Sequence, residues 1–132
     1  MARLPIQRVG SARILVVDDE EDARDLVATV LGEMGYAVDT TRDGRSALRQ
    51  LEQAHYDLMV SDLRMPELDG PGLYREVLRR WPNDHPSVLF VSGFGDTPDY
   101  AGFLNRTHVP VLLKPFTVDH LRQTVERVLE GA

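Results

Sequence analysis

Near the N-terminus, four consecutive apolar residues are followed directly by two aspartates, in the stretch Ile14-Leu15-Val16-Val17-Asp18-Asp19. An apolar run without polar alternation is typical of a strand that is buried on both faces of a parallel sheet. Apolar residues, Leu26 among them, then recur at intervals of three and four from Ala23 to Met34. Gly35 follows at the usual position of a helix C-cap. The segment therefore predicts a buried strand followed at once by a helix.

The alternation of strand and helix patterns continues to the end of the chain. Further apolar runs lie at residues 36–38, 58–60, 88–91 and 111–113. Between and after them, helical patterns begin at Asp43-Gly44, near Pro71 and at the predicted N-cap Thr117. Residues 93–106 give the weakest helical signal because they are rich in glycine, although Thr97-Pro98 can start a short helix there.

Five strands alternating with five helices predict an α/β fold, a single doubly wound parallel sheet with helices on both faces. Each crossover between parallel strands is right-handed and returns over one face of the sheet. Ligands of such folds bind outside the carboxyl ends of the strands. We therefore expect the functional residues directly after each apolar run.

Length and composition are those of one soluble globular domain. The 132 residues are 42% hydrophobic and 27% charged, and the formal net charge is −6. A net negative field repels phosphate backbones, so direct binding of nucleic acid is not expected. The chain contains no cysteine, which excludes a disulfide framework, thiolate metal sites and a cysteine nucleophile.

The sequence contains no membrane or export signal. Its longest apolar runs are about five residues, far below the roughly 20 that a membrane span needs. The N-terminal residues lack the apolar core of a signal peptide. We expect a cytoplasmic protein in which residues 1–12 form a tail or linker and residues 13–131 form the single domain.

Polar residues follow four of the predicted strands. Asp18 and Asp19 follow the first run, Asp62 the third, Ser92 the fourth, and Lys114, the only lysine of the chain, the fifth. Clustered carboxylates repel one another and raise a pKa unless a cation joins them. All-oxygen ligands with room for water suit Mg²⁺ or Mn²⁺ better than zinc. The pattern therefore predicts a divalent metal site at this edge of the sheet.

The acidic residues after Asp19 have a simpler interpretation. Glu20, Glu21 and Asp22 place negative charge at the N-terminus of the first helix, where it is stabilising. This interpretation does not account for Asp62, which stands alone before the turn-rich segment 65–70 and can also be a turn former.

Taken together, these motifs resemble the receiver domain of the response regulators of two-component signalling, the CheY-like family. The resemblance extends from Ala12 to Glu130. It rests on Val16-Val17-Asp18-Asp19-Glu20, Asp43-Gly44, Ser61-Asp62-Leu63-Arg64-Met65-Pro66-Glu67-Leu68-Asp69-Gly70, Ser92-Gly93 and Lys114-Pro115-Phe116. It implies a flavodoxin-like (βα)5 fold with strand order 2-1-3-4-5.

The resemblance also implies a phosphoryl acceptor and a metal site. Asp62 corresponds to the phosphoacceptor, a nucleophile that takes a phosphoryl group from the phosphohistidine of a histidine kinase or of a histidine phosphotransfer protein. Asp18, Asp19 and Asp62, together with the backbone carbonyl of Arg64, correspond to the ligands of Mg²⁺. The family therefore implies a phosphorylatable switch, which assists only its own phosphorylation and dephosphorylation, rather than an enzyme.

Two further residues correspond to the groups that bind the phosphoryl group. Lys114 corresponds to the cation that contacts the aspartate and later the phosphoryl oxygens, and the Lys114-Pro115 bond is cis in relatives. Ser92 corresponds to the hydroxyl that moves to hydrogen-bond the phosphoryl group. A downstream partner, or a weak homodimer, is expected at the face made by the fourth and fifth helices and the last strand.

The chain departs from the family at one position. Receivers often carry Tyr or Phe three residues before the site lysine, where this chain has Val111. The segment Gly93-Phe94-Gly95-Asp96 suggests that backbone motion replaces the aromatic switch, and it is more similar to receivers of hybrid sensor kinases than to those of DNA-binding regulators. We hypothesise that the bulk of Arg64 and Phe94 slows hydrolysis of the acyl phosphate.

Two other functions use related residues. A phosphatase of the haloacid dehalogenase type also has an aspartate nucleophile, Mg²⁺ and a lysine, but it needs a second aspartate where this chain has Arg64. A flavodoxin-like cofactor binder needs a phosphate-binding loop after the first strand, where this chain has four acidic residues. The chain acts either as a stand-alone regulator or as the receiver of a larger protein.

Overall fold

The structure is a computed structural model of the chain, and it describes residues 12–93 and 97–131. The predicted N-terminal tail lies, except for Ala12, outside the described residues. The strands are β1 (Arg13–Val17), β2 (Ala37–Thr41), β3 (Leu58–Asp62), β4 (Ser87–Gly93) and β5 (Val111–Lys114). The helices are α1 (Glu21–Glu33), α2 (Gly44–Gln53), α3 (Gly70–Arg80), α4 (Thr97–Thr107) and α5 (Val118–Gly131).

The five strands form one parallel sheet in the order β2-β1-β3-β4-β5. The predicted flavodoxin-like fold and strand order are therefore confirmed. Because side chains alternate along a strand, β1 contributes to two cores. Leu15 and Val17 pack on the side of α2, α3 and α4, whereas Ile14 and Val16 pack on the side of α1 and α5. No helix within the described residues is long and apolar enough to cross a bilayer.

The predicted helix termini are confirmed at several residues. The Asp43 carboxylate accepts a hydrogen bond from the backbone N–H of Ser46 at 2.7 Å, which caps α2. The Thr117 hydroxyl accepts the backbone N–H of His120 at 3.0 Å at the start of α5. Gly35, directly after the C-cap of α1, has φ 98°, a left-handed conformation that glycine adopts at little steric cost.

Three elements differ from the sequence-based prediction. β2 extends to Thr41 although its last three residues are polar, because it is an edge strand whose side chains are only partly buried. α4 begins at Thr97, as the sequence predicts, but it continues to Thr107 and is longer than the short helix expected. Leu26, expected on the packed face of α1, is 52% exposed because the buried face is made by Val27, Val30 and Leu31.

Candidate functional site

Strand register brings the predicted site residues to one edge of the sheet. Val17 of β1 is paired with Ser61 of β3, so Asp18 and Asp62 occupy the next position along two neighbouring strands. On the other side of β3, Asp62 is paired with Val91, the residue before Ser92. Parallel pairing therefore places the carboxyl ends of β1, β3 and β4 side by side.

Three carboxylates lie together at this edge. One oxygen each from Asp18, Asp19 and Asp62 lies within 4.8 Å of the other two. Two oxygens bound to one octahedral ion with bonds near 2 Å lie about 3–4 Å apart, so side-chain shifts of about 1 Å would bring these carboxylates onto a shared ion. The three carboxylates that the sequence predicts as metal ligands therefore lie together, and their role as ligands remains a prediction.

Burial and mutual repulsion disturb the ionisation of this cluster. Desolvation, followed by the charge of Asp18, raises the pKa of Asp62 to about 6 from an ordinary value of 3.8. Desolvation likewise raises the pKa of Asp18, which is only 5% exposed. Both shifts have the sign expected of carboxylates that are crowded without a cation.

Hydrogen bonds fix the position of Asp18. Its carboxylate accepts the backbone N–H of Glu20 at 2.9 Å, and its own N–H donates to the carbonyl of Thr41 at 3.2 Å. The guanidinium of Arg24 donates to the Asp18 carbonyl at 3.1 Å. The contact of Arg24 with Asp18 was not predictable, because an arginine one turn into a helix resembles any solvated helical arginine.

Lys114 ends β5 and reaches the acidic cluster. Its ammonium nitrogen lies 4.0 Å from a carboxylate oxygen of Asp18, and its charge lowers the pKa of both Asp18 and Asp62. The Lys114-Pro115 peptide is cis, as expected. The only lysine of the chain is therefore paired with Asp18 at this edge.

Ser92 lies at the same edge, where its hydroxyl has a backbone partner. It is fully buried, and its hydroxyl donates to the carbonyl of Gly93 at 3.3 Å. Its predicted movement towards a phosphoryl group remains a prediction.

Arg64 lies in the loop between Asp62 and α3, and its side chain extends towards α4. Its guanidinium donates to the carboxylate of Asp99 and lies over the ring of Tyr100, 5.5 Å from the centroid. Neither partner is predictable from the sequence, since each is about 35 residues away. The role expected for the Arg64 carbonyl remains a prediction, and Phe94 lies outside the described residues.

The residues present fit a hard divalent cation. The three carboxylates supply only oxygen ligands, which Mg²⁺ and Mn²⁺ prefer. Desolvation is the main cause of the raised pKa of Asp62 and the charge of Asp18 adds to it, and a bound cation would offset both. The acidic residues Glu21 and Asp22, in contrast, lie in the first turn of α1, as the simpler interpretation predicts.

Comparisons with known proteins agree with this geometry. A family model described as "Response regulator receiver domain" matches residues 14–126. The sensor kinase CckA of Brucella abortus is 35% identical over 125 residues, which cover 92% of this chain and 13% of the kinase. The probable transcriptional regulator ycf27 of Guillardia theta is 33% identical over 126 residues, which cover 96% of this chain and 48% of the regulator.

A solved structure matches over its whole length. The receiver domain of NtrX from Brucella abortus superposes with a TM-score of 0.81 at 35% identity, and the match covers 90% of this chain and 99% of that domain. The chain thus spans less than half of the two curated relatives but nearly all of an isolated receiver. With its fold, its strand order and its acidic sheet edge, the chain belongs to the response regulator receiver domain family.

Proposed function

We propose that this chain is the phosphoacceptor of a two-component phosphorelay and that Asp62 is the residue phosphorylated. The observation that carries the proposal is the grouping of Asp62 with Asp18 and Asp19, each contributing an oxygen within 4.8 Å of the others. Receiver domains generally bind Mg²⁺ at an acidic cluster of this kind. Asp62 is the member of the cluster that stands at the end of the central strand β3.

The proposed reaction is a transfer between nucleophiles. A carboxylate oxygen of Asp62 attacks the phosphorus of a phosphohistidine, so an O–P bond forms while the N–P bond breaks. The imidazole nitrogen leaves with the bonding electron pair and takes up a proton. Such a transfer depends on in-line placement and charge neutralisation, and it needs an ionised nucleophile.

Residues of the chain position the reacting groups and neutralise part of the negative charge of the transferred phosphoryl group. Asp18, Asp19 and Asp62, with the carbonyl of Arg64, would hold Mg²⁺. When bound, the ion neutralises charge on the carboxylates and on the transferred phosphoryl group. Lys114 supplies a second positive charge from β5, on the side where its ammonium now contacts Asp18. We propose that Ser92 turns from Gly93 to donate to a phosphoryl oxygen.

The phosphoryl donor and the downstream partner are proteins in this proposal. The donor is a histidine kinase or a histidine phosphotransfer protein, and the chain works in the cytoplasm. The output face is formed by α4, β5 and α5, where Leu113 is 37% exposed, and it docks a protein partner or a second copy in a weak homodimer. The relatives include both a sensor kinase and a transcriptional regulator, so either kind of parent protein suits this receiver.

Intact-mass measurement tests the proposal. The protein is incubated with Mg²⁺ and acetyl phosphate, a small phosphoryl donor, and then weighed. We expect the mass of one added phosphoryl group, which is absent with EDTA and absent in Asp62→Asn. Asp84→Asn, which changes an exposed aspartate beside His55, is the matched control and keeps the added mass.

The competing functions give different results in the same experiment. Steady release of phosphate from phosphate esters without a stable added mass would support an aspartate-nucleophile phosphatase. Flavin retained by the purified protein would support a flavodoxin-like binder. Either outcome would overturn the proposal.

A further inference from the structure

Arg64 connects the loop after the proposed phosphorylation site to α4. It lies two residues after Asp62, and its guanidinium contacts the side chains of both Asp99 and Tyr100. These two residues lie in the first turn of α4 (Thr97–Thr107). One side chain therefore spans from the phosphorylation site to the beginning of the helix that forms part of the proposed output face.

The middle of α4 is held by packing in the hydrophobic core. Phe103 is buried and makes edge-to-face contacts with Tyr74 and Phe90, with ring centroids 5.5 and 5.7 Å away. Asp99, in contrast, is exposed, and Tyr100 is only partly buried. Tyr100 also packs against the edge of the core, and Arg64 adds to the first turn of α4 two contacts that the middle of the helix lacks.

A phosphoryl group on Asp62 would lie within reach of the same guanidinium that now contacts Asp99. Residues two apart in a chain lie within about 7 Å, which is inside the reach of an arginine side chain. A phosphoryl group carries nearly two negative charges, and arginine binds such groups with paired hydrogen bonds. The ion pair between Arg64 and Asp99 is solvent-exposed, with 51% and 65% of the two side chains accessible, and exposed pairs are weak.

We propose that the Arg64 side chain is a latch. In the unphosphorylated protein it holds the first turn of α4 through Asp99 and Tyr100, and a phosphoryl group on Asp62 draws it away and frees that turn. The latch rests on the proposed function, and it supplies a link between Asp62 and α4 in a chain whose β5 carries Val111 in place of a switching aromatic residue.

Amide hydrogen exchange of α4 tests the latch in two stages. In EDTA, the amides at residues 101–104, which bond to carbonyls of the first turn of α4, are expected to exchange faster in both Asp99→Asn and Arg64→Ala. The expected increase is roughly 2-fold in Asp99→Asn, which loses the ion pair, and roughly 3- to 5-fold in Arg64→Ala, which loses the ion pair and the cation–π contact. Arg64→Lys is expected to show a smaller increase because it keeps the charge. Arg79→Ala removes a comparable exposed arginine, paired with Glu76 on α3, and is expected to leave α4 unchanged.

The second stage adds Mg²⁺ and beryllofluoride, which mimics a phosphoryl group on a carboxylate. Exchange of the same amides is expected to rise in the wild-type protein and to rise little further in Asp99→Asn. Equal exchange in Asp99→Asn and wild type in EDTA, or an undiminished response of Asp99→Asn to beryllofluoride, would overturn the latch.

Phosphorylation of Asp62 and the Arg64 latch can be disproved independently of each other. Intact mass after acetyl phosphate treatment reports phosphorylation of Asp62 in wild type and in Asp99→Asn without reference to α4. If no phosphoryl group is added to either protein, the proposed function fails, whereas the exchange rates in EDTA still decide whether Arg64 restrains α4.

Discussion

Gly70 lies directly against the backbone of Asp62. A Cβ atom at Gly70 would come within 2.9 Å of the Asp62 carbonyl oxygen and within 2.8 Å of the Phe90 ring. The N–H of Gly70 also donates to the carbonyl of Leu63 at 2.8 Å, so α3 begins tightly against the end of β3. The absence of a side chain at residue 70 therefore helps to position the proposed phosphoacceptor.

Gly70→Ala is expected to destabilise the protein by about 1–3 kcal/mol, because backbone atoms on one side cannot yield without moving Asp62. Denaturant unfolding measures the change. Gly32→Ala in α1 is the matched control, since apart from its chain neighbours and the backbone of its own helix no atom lies within 4 Å of the added methyl group. This substitution is expected to stabilise the protein by up to about 1 kcal/mol. Equal effects of the two substitutions would contradict the close packing at Gly70.

Asp62→Asn is expected to stabilise the metal-free protein at neutral pH. The pKa of Asp62 is about 6 in the folded protein and 3.8 as its ordinary value, so the folded state binds more protons between these pH values. The contribution of Asp62 to the free energy of unfolding is therefore greatest below about pH 4 and is lost as the pH rises through 6. We expect Asp62→Asn to be more stable by about 1–3 kcal/mol at pH 7.5 in EDTA.

The stability difference between Asp62→Asn and the wild-type protein is expected to depend on pH. Thermal unfolding of both proteins is measured from pH 4 to pH 8 in EDTA, and the advantage of Asp62→Asn is expected to vanish near pH 4. A wild-type protein that is the more stable at pH 7.5 without metal would contradict the crowding of the three carboxylates.

Asp19→Asn is expected to weaken Mg²⁺ binding at least about 10-fold, because it removes a charged ligand from the proposed set. Calorimetric titration with Mg²⁺ measures the affinity. Glu21→Gln removes an equal charge from the first turn of α1, outside the acidic cluster, and is expected to bind Mg²⁺ nearly as wild type does. Equal weakening by both would mean that only the general negative field attracts the ion.

Lys114→Ala is expected to change Mg²⁺ binding and phosphorylation in opposite directions. The Lys114 ammonium, 4.0 Å from Asp18, repels a nearby cation, so its removal is expected to tighten Mg²⁺ binding about 3- to 10-fold. Phosphorylation by acetyl phosphate is expected to slow by about 100-fold, because the developing charge loses one of its two cationic partners. Losing both functions together would indicate that Lys114 acts only in folding.

The fold and the acidic cluster were predictable because their signals are local. The apolar run at β1 ends directly at Asp18, and parallel pairing then brings the residue after β3 to the same edge whatever the details of packing. N-caps such as Asp43 were predictable for the same reason, since the hydrogen bond spans three residues.

Contacts between distant segments were not predictable. The partner of Arg64 lies 35 residues further along the chain, and nothing in the sequence near Asp99 marks it as a partner. The exposure of Leu26 depends on how α1 is rotated against the sheet, and an apolar stripe defines that rotation only within about one residue.

Borohydride trapping tests the central claim most directly. The protein is treated with Mg²⁺ and acetyl phosphate and then with sodium borohydride, which reduces an acyl phosphate to an alcohol and so converts a phosphorylated aspartate into homoserine. Peptide mass spectrometry is expected to find homoserine at residue 62 with Mg²⁺ and none with EDTA. Homoserine at Asp18 or Asp19 instead, or at no position while acetyl phosphate and Mg²⁺ are present, would contradict the account.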